Sequence, residues 1–230
     1  MFRARVRESS AETGARFVFA AGRPEKRPTS PMCNNYGHDV PYRRYLDEFH
    51  ALRLTLIFPR GAPNLEPRDN IRPTDPAPVI KGRDDGEGEF EELRWGFPPS
   101  KPKAGPIINF RSDGRTFSKG RCLVPASCFY EFTGTKYPKT KWRFTVRGDD
   151  WFCMAGLWRR VETPQGATEA FTILTCEPGP DVKPYHDRQV VVLPREQWGA
   201  WLDVSKPMKG DDFGPAPEGT FAVEEVKRTA

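Results

Sequence analysis

The sequence predicts an α+β chain, mostly antiparallel β in a barrel-like sheet, with two or three peripheral helices. Three observations predict it. The 24 Pro and 20 Gly favour short strands and many turns over long helices. Sixteen Phe and six Trp supply bulky core material, although only 37% of the residues are apolar. Short apolar runs separated by turn residues recur through the second half of the chain. At 230 residues there is enough chain to bury one sizeable core.

Residues 1–31 are rich in Arg, Ala and Ser and lack apolar periodicity, which predicts a disordered extension or a mis-called start. Their composition approaches that of a transit peptide, but Glu8, Glu12 and Glu25 count against one. Residues 32–230 are expected to form a single domain. Residues 40–54 place Tyr42, Tyr45, Leu46, Phe49 and Leu52 at helical spacing, so a helix is expected there. The proline-rich stretch 59–78 reads as too polar and too interrupted for regular structure. Residues 89–95 alternate as a strand does, and Trp95-Gly96-Phe97-Pro98-Pro99 ends it. Residues 107–111 form a short extended piece, and 122–132 a longer one broken by Pro125.

A meander is expected next. Residues 142–146 alternate, and Gly148-Asp149-Asp150 marks a turn. The continuous apolar run 151–158 suits a strand buried on both faces. A turn at 163–168 leads to a strand at 170–176, then a loop at 177–188 with Pro178, Gly179, Pro180 and Pro184. Residues 190–193 read as a strand. Residues 194–202 place Pro at a first helical turn, with Trp198 and Trp201 on one face. The tail 205–218 is irregular, with a last strand at 220–226.

The net charge of +5, from 36 basic and 31 acidic residues, suits a polyanion-binding protein, though many soluble proteins share that balance. Five cysteines, at 33, 122, 128, 153 and 176, form no CxxC pair, and the histidines at 38, 50 and 186 are too scattered for a usual zinc spacing. Both points favour free thiols in a reducing compartment with no metal and no cofactor. No apolar run has transmembrane length, and a cytoplasmic location is expected.

Four polar positions interrupt contexts that would otherwise be plain. Cys33 stands where irregular sequence gives way to foldable sequence. If Met32 is a true start, its removal leaves an N-terminal cysteine, whose amine and thiol together capture aldehydes. Asn109 lies in Ile-Ile-Asn-Phe-Arg, a poor place for a strand-breaking amide. Glu131 lies in Cys-Phe-Tyr-Glu-Phe, where aromatics would strip water from a carboxylate and raise its pKa. His186 lies in Tyr-His-Asp-Arg. Each also has a plain reading: a solvated strand face for Glu131, a surface ion-pair cluster for His186, a bulge or edge for Asn109, an inert thiol for Cys33. A Cys-His-Asn thiol hydrolase uses the same residue types, although the local pattern of papain-like enzymes is missing.

The words Met32-Cys33-Asn34-Asn35-Tyr36, Arg94-Trp95-Gly96, Asn109-Phe110-Arg111, Arg121-Cys122-Leu123-Val124-Pro125, Phe129-Tyr130-Glu131-Phe132 and His186-Asp187-Arg188 occur in that order. As an ordered set over residues 32–202 they resemble the SOS-response-associated peptidase family, which captures abasic sites in single-stranded DNA. The resemblance implies a catalytic Cys33 exposed as the N-terminus, an Asn109 that positions it, and a catalytic Glu131 and His186. It implies a covalent thiazolidine crosslink that shields the lesion, with a peptidase activity that removes whatever precedes the cysteine. It also implies a monomer, and a DNA-phosphate contact at Arg111.

Cationic and flat groups for a single strand are sought at Arg111, Arg115, Arg121, Lys136, Lys139, Lys141 and Arg188, with Trp95 and Phe97 as stacking residues. One departure stands out. The family's common start is Met-Cys-Gly-Arg, whereas this chain has Asn34 and Asn35, so a backbone-contacting arginine is missing. Two rival readings stand beside this one: a thiol peptidase acting on other proteins, and a reversible binder of modified DNA.

Overall fold

Alternation of side chains along a handful of strands decides the architecture, because each strand must satisfy a buried face on one or both sides. The computed structural model describes residues 33–99, 103–163 and 166–227. The chain divides into Met1–Ser30 and Pro31–Ala230, and all described residues belong to the second unit. The extension at 1–31 lies outside them.

In chain order the elements begin with β1 (Tyr36–His38), α1 (Tyr42–Ala51), β2 (Leu56–Ile57), β3 (Arg68–Ile71), β4 (Pro76–Gly82), β5 (Gly88–Trp95), β6 (Asn109–Arg111) and β7 (Thr116–Phe117). They continue with β8 (Arg121–Ala126), β9 (Cys128–Thr133), β10 (Thr140–Val146), β11 (Phe152–Thr163) and β12 (Gly166–Cys176). The last are β13 (Gln189–Val190), β14 (Val192–Leu193), α2 (Trp198–Leu202), β15 (Met208–Lys209) and β16 (Phe221–Glu225).

Strands β4, β5, β12, β11 and β8 close into a ring, every pair antiparallel except β5–β12. This is the barrel the sequence predicts, and α1 and α2 are its two short helices. A second sheet runs β16-β10-β9-β1-β3, antiparallel throughout. Among the described residues no helix is long and apolar enough to cross a membrane.

Barrel strands feed two apolar clusters in alternation. On β11, Phe152 and Met154 join the first cluster while Cys153 and Ala155 join the second. The first also takes Tyr36, Ile71, Phe129, Phe144 and Phe221 from the five-stranded sheet. The second is covered by Tyr45 and Phe49 of α1 and by Trp198, Trp201 and Leu202 of α2. Double burial explains why 151–158 reads as an unbroken apolar run. Helix α1 stops where Arg53 turns left-handed (φ 56°) and the Leu54 N–H reaches back to the Phe49 carbonyl at 2.8 Å, a Schellman closure.

The structure differs from the sequence reading in four places. Two strands, β3 and the start of β4, occupy the 59–78 stretch expected to be irregular. β4 pairs with β8 only at Ile80 and Lys81, so Pro76 and Pro78 sit on a free edge where a missing N–H costs nothing. The break in 122–132 falls at Ser127 rather than Pro125, which stays inside β8 opposite Cys153. The expected meander is cut, because β10 pairs with β9 and β16 and the chain then crosses to the barrel at β11. Residues 190–193 split into β13 on β12 and β14 on β11.

Phe129 sits where the two sheets meet. Its ring stacks on Phe144 at 4.8 Å and meets the rings of Phe221 at 5.3 Å and Phe152 at 6.4 Å edge-on. Phe129→Ala is expected to cost about 3–5 kcal/mol in urea unfolding, since these neighbours belong to different strands and cannot close the cavity together.

Candidate active site around Cys33

Pairing of β1 with β9 sets Cys33 beside Glu131. Tyr36 faces Phe129 in register, and the Tyr130 N–H donates to the Asn35 carbonyl at 3.0 Å. The chain just before β1 therefore runs along the inner side of β9. There the main-chain N–H of Cys33 donates to Glu131 Oε1 at 3.2 Å. Asn109 arrives from elsewhere. It opens β6, which lies parallel to β12 opposite Ile173, and its Nδ2 donates to the Cys33 carbonyl at 3.2 Å. The Cys33 thiol points to the Asn35 carbonyl at 3.7 Å. A carboxyl and a carboxamide thus grip the two ends of one residue.

Both reactive groups are dry: Cys33 is 0% exposed and Glu131 1%. Burial pushes the Glu131 carboxyl up to about 8, with the Cys33 N–H pulling it down and the Asp187 charge pushing it further up. Burial, then the charge of Glu131, raises the Cys33 thiol well above its ordinary value. At neutral pH the pair is therefore mostly a carboxylic acid beside a thiol, each holding its proton.

His186 stands one loop away, between β12 and β13. Its side chain is 7% exposed, its Nδ1 accepts the Arg188 N–H at 3.1 Å, and Asp187 Oδ1 lies 3.0 Å from the same nitrogen. Among the described residues His186 makes no hydrogen bond to Cys33 or Glu131. Its segment reaches the pair through the charge of Asp187.

The DNA-contact candidates divide. Arg111, Arg115 and Lys136 are exposed, and Lys139 and Lys141 half-buried. Trp95 is not a stacking surface: it is 0% exposed, donates Nε1–H to the Ile108 carbonyl at 3.0 Å, and packs on Phe171 and Tyr36. Phe97 is buried likewise, under the Arg159 guanidinium at 4.1 Å.

Arg121 leaves the candidate interface too. It is 0% exposed and donates to the carbonyls of Phe117, Trp201, Asp203 and Lys206, so its charge serves the chain itself. Arg188, 6% exposed, is held by Asp113 at 2.6 Å, Glu177 at 2.9 Å and the Thr175 carbonyl at 2.8 Å. It anchors the His186 loop to β12 rather than facing solvent. In sequence each of these residues sat beside a plausible motif, and nothing local marked it as internal.

Two residues of the site carry no sequence signal of their own. Asp187 acts on Glu131 only because the loop after β12 folds back. Asn70 joins Asn35 at 3.1 Å through the β1–β3 pairing. Among the described residues no group of three or more His, Cys, Asp or Glu converges as a metal site requires.

Residues 32–229 match the family described as SOS response associated peptidase (SRAP). The abasic site processing protein YoaM of Bacillus subtilis is 29% identical over 189 residues, covering 75% of this chain and 79% of its own. YoqW of Bacillus phage SPbeta, also an abasic site processing protein, is 29% identical over 187 residues, covering 75% and 80%. In fold, a phage-related protein of Bordetella bronchiseptica superposes with a TM-score of 0.65 at 24% identity, over 85% of this chain and 95% of its own.

Two outcomes follow from the geometry. Glu131 has a folded pKa above its unfolded one, so its contribution to stability is complete below about 4.5 and declines as pH rises toward about 8. The decline is at most about 1.4 kcal/mol per pH unit. Buried His38, its pKa held down to about 4, contributes in the opposite sense below about 6.5 in both proteins. The check is therefore the difference between them: the urea midpoint of the parent should fall relative to that of Glu131→Gln between pH 5 and pH 8. Arg121→Ala strands four carbonyls without their donor, so unfolding should come easier by about 3 kcal/mol or more.

Proposed function

The chain belongs to the SOS response associated peptidase family, and from that premise we propose that it is an abasic-site processing protein acting through Cys33. In this reading it binds single-stranded DNA and, once Met32 and everything upstream are removed, crosslinks the abasic sugar as a thiazolidine. One observation carries the reading. The atom that would become the nucleophilic amine, Cys33 N, already lies 3.2 Å from a buried carboxyl that keeps its proton near neutral pH.

The chemistry follows from those groups. The abasic sugar is mostly a closed hemiacetal. Glu131 as a neutral acid gives a proton to the ring oxygen as the C–O bond breaks, and the anomeric hydroxyl gives its proton to water as it becomes the aldehyde carbonyl. The α-amine, with an ordinary pKa near 8, is partly neutral at physiological pH and adds to the carbonyl. Loss of one water leaves an imine. The thiol then adds across the C=N bond, sulfur to carbon and proton to nitrogen, closing a five-membered ring. That closure is intramolecular and gains from proximity. Because burial keeps Cys33 as a thiol, its proton leaves through the ionised form of Glu131.

Asn109, bonded to the Cys33 carbonyl, fixes the direction of the amine. His186 relays protons at the rim of the site. Arg111, Lys136 and Lys139 supply the phosphate contacts. The peptidase activity we assign is self-cleavage at Met32–Cys33. The protein works as a cytoplasmic monomer with no metal or cofactor.

Intact mass tests the reading. The full chain should yield a species beginning at Cys33. With single-stranded DNA carrying one abasic site, that species should gain the oligonucleotide mass less one water. A Cys33-initiated protein that forms no heat-stable adduct removes the capture reading, and adducts that persist in Cys33→Ala remove the cysteine from it. Glu131→Gln should slow adduct formation tenfold or more while leaving affinity for undamaged single strands within about twofold, as expected of a general acid. Unchanged kinetics would take Glu131 out of the mechanism.

A further inference from the structure

A groove outside the Cys33 site answers the missing arginine at position 35. Asn35 is 6% exposed, and its Nδ2 donates to Asn70 Oδ1 at 3.1 Å. The same oxygen accepts from Lys141 Nζ at 2.8 Å. That ammonium also sits 3.6 Å from the centre of the Tyr130 ring. Lys141 is thus fixed in place by an amide and an aromatic face, neither of which cancels its charge. Burial lowers its pKa, as it does for a cation short of water, and an arriving anion would reverse that.

From Lys141 a groove of about 750 Å³ opens between the β9–β10 hairpin and the end of β16. Lys139, Lys141 and Lys227 line it with Phe132 and Pro138, against one acid, Glu225. Asp69 is the other carboxylate acting on Lys141. At the hairpin tip Tyr137 is 92% exposed, flanked by Lys136 and Pro138. An aromatic ring so exposed packs against little among the described residues, and it stands among cations. Cations along a groove with flat faces beside them are what a single-stranded polynucleotide requires: charge for phosphates, rings for bases.

We infer that the nucleic-acid contact of the β9–β10 hairpin, whose Lys136 and Lys139 the reading above already gives to the strand, continues into this groove, with Lys141 holding a backbone phosphate of the strand at Cys33 and Tyr137 stacking on a base further along. The inference rests on the DNA-binding reading above and extends it to the outer face of the five-stranded sheet. An acidic peptide would satisfy the lysines but leave Tyr137 without a flat partner.

The test uses the full chain and a fluorescent single-stranded oligonucleotide without damage, titrated by anisotropy at several salt concentrations. Adduct yield is measured separately on an oligonucleotide with one abasic site. Lys141→Gln should weaken binding and reduce the salt slope by about 0.7, the value for one phosphate contact on a single strand. Tyr137→Ser should weaken binding about fivefold or more and leave the slope unchanged, since stacking carries no counterion release. Tyr137 is exposed, Lys141→Gln keeps a side-chain N–H donor next to Asn70, and thermal melts followed by circular dichroism check that both variants are folded. Affinity and slope unchanged in both variants overturn the inference, as does displacement by polyglutamate equal to that by unlabelled DNA. A parent that shows these losses in its variants yet never forms an adduct upholds the groove and sinks the capture reading alone. Adducts formed by a parent whose variants bind undiminished sink the groove alone.

Discussion

Two residue pairs, Arg94 with Ala170 and Trp95 with Phe171, hold β5 parallel to β12 and shut the ring of strands. Most of the site hangs from that closure. Beyond Phe171, β12 takes β6 alongside at Ile173, Leu174 and Thr175, which delivers Asn109 to the Cys33 carbonyl. At its end β12 pairs with β13, and the loop between them carries His186 and Asp187. Arg188 ties that loop back to the Thr175 carbonyl. A single strand thereby positions an amide, an imidazole and a carboxylate that are far apart in sequence. The five-stranded sheet contributes Glu131, Asn70 and the approach to Cys33.

The placement of Glu131 is electrostatically uphill, and its neighbours set how far. An isolated carboxylate in an apolar interior is driven to protonate. The one hydrogen bond from Cys33 N–H is too weak to reverse this, and Asp187 adds repulsion. Conversion of that peptide N–H to an ammonium would place a full positive charge 3.2 Å from Oε1. An opposite charge at such a distance favours the ionised carboxyl. In the proposed chemistry, processing of the chain therefore frees the amine and draws Glu131 toward its ionised form, so Glu131 first takes a proton from the ammonium and then, holding it, serves as the acid.

The sequence shows the helix at α1, the paired Trp198 and Trp201 and the strands of the second half, because each carries a periodic apolar face. It conceals what depends on partners. Pro125 looks like a strand break and is not, since only pairing on one side of β8 reveals that its missing N–H has no acceptor to lose. Arg121 and Arg188 look like surface cations and are internal. A guanidinium reads the same in sequence whether its five donors meet phosphate, water or backbone carbonyls. Glu131 was legible for the opposite reason: Phe129, Tyr130 and Phe132 surround it locally, so its dryness is written in adjacent residues. Asp187, Asn70 and the Lys141 contact belong to long-range pairing and leave no local trace.

Complete burial of the Cys33 sulfur has a consequence for selectivity. Peroxides and alkylating metabolites react with thiolates, and a protonated, water-free thiol offers them little. Many cysteine enzymes trade durability for a standing anion. In the proposed chemistry the thiol acts second, on an imine already formed at the neighbouring nitrogen, so it never has to be ionised in the resting protein. On that reading the buried thiol stays chemically silent toward oxidants between lesions, and only an electrophile able to engage the amine first can call on the sulfur.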